Sequence, residues 1–122
     1  MNTIFSDEKL KAVVQITGKD DNDFLKKCVD ALGKDRVIGI IMPNLNSAHT
    51  KKAVETVKDF NIEYHIIPIT AAVASIWRQI EYSGVSMSGQ AHIKLPNLVR
   101  NATLDSVAKS IGGKVITEDD LS

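Results

Sequence analysis

Apolar residues in this chain follow two patterns that alternate from one end to the other. Short strand-like segments occupy Ala12 to Ile16, Arg36 to Met42, Ile62 to Ile69 and Lys114 to Thr117, the first two nearly unbroken in apolar residues. Runs of this kind, rich in Val and Ile, predict strands covered on both faces. Between them the apolar positions recur at helical spacing. Phe24, Leu25, Cys28, Val29 and Leu32 define a helix that starts near Asp23 and stops at Gly33. Ala53, Val54, Val57 and Phe60 define a second, from about His49 to Phe60, and Asn61 ends it. Val73, Ile76, Trp77 and Ile80 mark the apolar side of a third, Ala71 to Tyr82. After a loop from Ser83 to Gly89, helical patterning returns at Gln90, is disturbed at Pro96, resumes from Thr103 through Ser110, and stops at Gly112-Gly113.

The order β-α-β-α-β-α-α-β predicts an α/β fold: a doubly wound, mostly parallel sheet with helices on both faces. Pro68 lacks an N–H, so the third strand is expected at the edge of pairing rather than in its middle. Phe5 and Leu10 suggest a short leading helix. The whole chain, residues 1–122, is the size of one domain. No internal repeat, linker or low-complexity segment breaks it.

Charge narrows the partners. Fifteen basic and fifteen acidic side chains cancel, and no basic run is interleaved with aromatics, which argues against a nucleic-acid partner. No stretch approaches the ~18 apolar residues that a membrane span needs, and Met1 to Lys11 has no signal-peptide pattern. One cysteine, Cys28, cannot form an intrachain disulfide, so a cytoplasmic setting is expected. Cys28 lies on the apolar face of its helix and reads as a core residue. His49, His65 and His92 are far apart and show no metal-ligand spacing. No nucleophile–base pair can be read from the sequence.

The candidate chemistry lies in Thr17-Gly18-Lys19-Asp20-Asp21-Asn22-Asp23, the turn after the first strand. In an open α/β sheet the crevice beyond the carboxyl end of such a strand takes the ligand. The helix that follows offers N–H groups and a positive dipole end to a phosphate. Yet Asp20, Asp21 and Asp23 put three carboxylates there, and the simple expectation is that they cap the helix themselves.

Several segments, in one order, resemble the ammonia-dependent NAD synthetase family. Ala31-Leu32-Gly33-Lys34-Asp35-Arg36-Val37-Ile38-Gly39-Ile40-Ile41-Met42-Pro43 is similar to its "ALGKxxVxGxxMP" phrase. Asn61-Ile62-Glu63-Tyr64 with Ile67-Pro68-Ile69 is similar to its third strand. Gln90-Ala91-His92-Ile93-Lys94-Leu95 resembles its "QARIRM" segment, and Gly112-Gly113-Lys114-Val115-Ile116 its "GGLV(I/L)" strand. The likeness spans most of residues 12–122 but only the front part of a family member. It implies a Rossmann-like, adenine nucleotide alpha-hydrolase-like fold. It also implies an ATP pyrophosphatase whose "SGGxDS" loop cradles ATP with magnesium, adenylating nicotinic acid adenine dinucleotide before ammonia displaces AMP.

By this resemblance Thr17, Gly18, Lys19, Asp21, Asn22, Met42 and Glu118 stand at ATP-binding positions, with Asp21 the candidate for magnesium. His92 and Lys94 stand at substrate-binding positions, where the family has arginines. The loop departs from the family pattern. Gly18 and Asp21 match, Thr17 can replace a serine hydroxyl, but Lys19 replaces a glycine and Asn22 the closing serine. Glu118 replaces the threonine of the family's "GTGNLSE". The degenerate loop implies a noncatalytic relative that self-associates as a homodimer, with Trp77, Ile80, Tyr82, Val85 and Met87 as a candidate apolar patch or as core. The alternative is an active ATP-dependent synthetase, alone or completed by another chain, for which ATP and magnesium are the cofactors. A receiver-like signalling module is a third possibility, opposed by the lack of an aspartate at the end of the third strand.

Overall fold

The computed structural model describes residues 9–45 and 48–121. The expected leading helix around Phe5 lies outside the described residues, whereas Leu10 packs half-buried against the core. The elements run β1 (Lys11–Gln15), α1 (Asn22–Leu32), β2 (Val37–Ile41), α2 (Ala48–Asp59), β3 (Glu63–Ile66), α3 (Thr70–Tyr82), α4 (Gly89–Ile111) and β4 (Gly113–Val115). Single 3₁₀ turns cover Lys34–Arg36 and Glu118–Leu121. The four strands form one parallel sheet in the order β3-β2-β1-β4. The chain winds outward from β1 to β3, then returns to the other side of β1. The topological switch point therefore lies between β1 and β4, and α/β sheets bind ligands at such crevices.

Each central strand divides its side chains between two apolar layers, as the two-residue period of a strand requires. Ala12, Val14 and Ile16 of the first strand and its exit, with Val37 and Ile41 of β2, pack against Leu25, Cys28 and Leu32 of α1 and Ala53 and Val57 of α2. Val13, Ile38, Ile40 and Met42 face the opposite way, against Leu104 and Ala108 of α4 and Ile69. All five β2 residues are buried, which is why its sequence alternates with nothing polar. Gly39 is the one β2 position without a side chain for the α2 layer to meet. A Cβ built on it would lie 3.0 Å from Val57 and 3.1 Å from Ile16. The missing side chain lets α2 settle directly on the sheet.

Cys28 is fully buried, as its position on the apolar stripe of α1 predicts. Burial pushes its thiol up from 9.0 to about 11, because a thiolate has no compensating charge there. A thiol reagent at pH 8 is therefore expected to label Cys28 only when denaturant is added. The stability this neutral thiol contributes is complete below pH 9.0 and declines as pH rises toward about 11. Labelling of the native chain at the rate of a free thiol would contradict this burial.

The third strand is shorter than the segment expected, but hydrogen bonding to β2 continues on both sides of Pro68. Ile67 and Ile69 donate to the carbonyls of Ile41 and Pro43, at 2.8 and 2.9 Å. Pro68 falls between them, where a backbone N–H would point away from β2. Its missing donor costs the sheet nothing, provided that β3 is an edge strand, which it is.

Two helices differ from the sequence expectation. Pro96 does not interrupt the fourth helix, which runs unbroken from Gly89 to Ile111. Proline in a helix interior removes one hydrogen bond. Here the helix retains a Ser88 N-cap, whose hydroxyl accepts from the Ala91 N–H at 3.1 Å, and Gly112 closes it in the left-handed conformation. The apolar side of α3 is not core. No residue of α3 is buried, and only Val73 packs against the core layer. Ile76 and Trp77 are 40% and 45% exposed, and Tyr82 and Val85 more so. Trp77 instead meets the His92 ring edge-on at 4.6 Å and donates to Glu81 at 3.2 Å. Thus α3 and the first half of α4 form a helical pair beside the sheet, with apolar residues facing outward.

Candidate functional site

The carboxyl ends of β1, β2 and β4 open into two adjoining clefts. The first, about 300 Å³, lies above β1 and β2 and is bounded by the loop after β1, the start of α2 and the middle of α4. The second, about 400 Å³, lies above β1 and β4, at the topological switch point. Gln15, Thr17 and Lys19 border both. The turn singled out from sequence is therefore the ridge between them.

That turn is held by one carboxylate. Asp21, almost fully buried, accepts on Oδ1 from the Thr17 N–H at 3.1 Å and the Thr17 hydroxyl at 3.0 Å, and on Oδ2 from the Gly18 N–H at 2.8 Å. The Lys19 N–H donates to the Thr17 hydroxyl oxygen at 3.2 Å. Three successive backbone donors thus have acceptors within the turn. Asp21 occupies the N-cap position of α1, but its side chain makes no cap bond to the helix. The expectation that the carboxylates cap the helix is corrected for Asp21, whose side chain folds back onto the loop instead. Only its carbonyl serves the helix, accepting from Leu25 at 2.9 Å.

Gly18 is fixed from a second side. Its φ of +81° is in the left-handed region, and its Cα abuts the backbone of His49 at the start of α2. A Cβ built there would collide with the His49 carbonyl oxygen and lie 2.6 Å from its carbonyl carbon. The loop after β4 repeats the clamp in miniature. The Thr117 N–H and hydroxyl both donate to Oδ2 of Asp120, at 2.8 and 3.2 Å.

The sequence-selected residues separate into three groups. Thr17, Lys19, Asp21 and Glu118 border the second cleft, and Met42, buried at the end of β2, borders the first. Gly18 lies beneath the ridge, and Asn22 starts α1 outside both clefts. His92 and Lys94 border neither: His92 faces Trp77, and Lys94 is exposed on α4. The polar α4 residues that do reach the clefts are Asn97, Arg100 and Asn101, with Leu104 beside them at the second. Their signal was the buried stripe Leu104 and Ala108: stepping back by three and four residues on a helix reaches Arg100, Asn101 and Asn97. Reading the helix as disturbed at Pro96 hides that continuity. Arg100 is held at the cleft wall, its Nε donating to the Met42 carbonyl at 3.3 Å and its Nη1 to Asn97 at 3.1 Å.

An open parallel sheet with a strand–loop–helix ridge at its switch point defines a doubly wound α/β protein. The chain belongs to the NAD synthase family, whose model matches residues 4–120. It is similar in fold to a glutamine-dependent NAD+ synthetase from Acinetobacter baumannii solved with adenosine diphosphate, with a TM-score of 0.77 and 22% identity over 86% of this chain and 20% of that one. An NH3-dependent NAD synthetase from Campylobacter jejuni, solved with nitrate, gives 0.77 and 22% over 93% of this chain and 50% of that one. An NMN synthetase from Francisella tularensis gives 0.73 and 18%, covering 86% and 43%. The chain thus spans half or less of the length of these three proteins. A comparison with curated protein sequences finds no match.

The residues present do not fit a magnesium–triphosphate group. Both Asp21 oxygens already accept from the loop, and the N–H groups of Thr17, Gly18 and Lys19 are committed. Among the described residues no three His, Cys, Asp or Glu side chains converge as a metal site. Asp20, Asp21 and Glu118 all border the second cleft, opposed there by Lys19.

Proposed function

We propose that this chain is a noncatalytic member of the NAD synthase family. The observation that supports this is the closure of the turn on itself: the three N–H groups at residues 17–19 bond back to Asp21 and Thr17. Electrostatic catalysis of phosphoryl or adenylyl chemistry depends on donors aimed at developing charge, and these are consumed. Lys19 where the family has a glycine is consistent with the same loss. The test is pyrophosphate release from magnesium ATP with nicotinic acid adenine dinucleotide and ammonia. None above the protein-free blank is expected, and a steady rate that scales with protein concentration would overturn the reading. The active alternative, completed by another chain, draws on the coverage of half or less of the related structures. Release that appears only when the second half of such a synthetase is added would favour it.

In this reading the chain acts by association, in a cytoplasmic setting suited to its free cysteine. A homodimer through α3 and the first half of α4 would cover Trp77, Tyr82, Val85 and Ile93, which are 45%, 75%, 57% and 78% exposed. Several exposed large apolar side chains on one helical pair are the kind of surface that interaction sites use. Light scattering is expected to give twice the 13.3 kDa chain mass, and Trp77→Glu with Ile93→Glu is expected to give the monomer with little change in melting temperature. A monomeric parent chain would remove the homodimer.

A further inference from the structure

We draw no further inference here: the strongest candidate, the second cleft above β1 and β4, where Asp20 and Glu118 rim a floor of Phe24, Leu104, Val115 and Ile116, belongs to the site already described, and nothing in the structure shows what its acidic rim holds.

Discussion

Gly18→Ala is expected to lower the melting temperature by roughly 10 °C or more, the largest effect of any single methyl group added near the site. Two costs add. An alanine at φ +81° carries left-handed strain of about 1–2 kcal/mol. The new methyl would also strike the His49 carbonyl, and backbone cannot swing aside as a long side chain can. Overpacking of this kind costs about 1–3 kcal/mol more. Together the two approach about 3 kcal/mol, which in a domain of this size is several degrees per kcal/mol. Thermal unfolding followed by far-UV circular dichroism checks it. A variant that melts with the parent would mean that α2 does not rest on Gly18.

Asp21→Ala is expected to cost about 2–4 kcal/mol, because it strands donors rather than merely deleting a contact. Hydrogen bonds to a carboxylate stabilise more than neutral ones, and the one from Gly18 is buried. Asp21→Asn is the informative companion. Its amide keeps one oxygen for Thr17 but sets a donor against the Gly18 N–H, so an intermediate loss is expected. Amide hydrogen exchange locates the effect: protection at Thr17 and Gly18 should collapse in Asp21→Ala while that of β2 falls only with global stability. Unchanged protection at those two amides would show that the carboxylate does not hold the turn.

Local chemistry made most of the fold legible. Val37 to Ile41 had to be a strand covered on both sides, because nothing polar interrupts it and every residue is buried. The site was legible as a place but not as a bonding pattern. The turn after β1 does form the ridge between the clefts, yet sequence could not show that Asp21 reaches back to Thr17 and Gly18 rather than forward to the helix. Both choices suit an aspartate at an N-cap position, and only the backbone trace decides. Pro96 misled for a different reason. Its helix penalty is local, whereas α4 is held by its caps and by Leu104 and Ala108 against the sheet. Periodicity likewise could not tell that the apolar stripe of α3 faces away from the core, since a stripe records what must be covered and not by what.

The edge strand β3 shows how this sheet avoids being extended by another chain's strand. Its outer side would be a template for another chain's strand, and Ile66, 47% exposed, would help such a strand adhere. Glu63 and His65 stand exposed on it as a pair, 2.9 Å apart, and Pro68 follows where an added strand would seek an N–H. An exposed carboxylate with a polar partner and a proline are devices by which native sheets resist edge-to-edge aggregation. The same proline that sits harmlessly between two bonds to β2 thus acts as a gatekeeper against fibre growth.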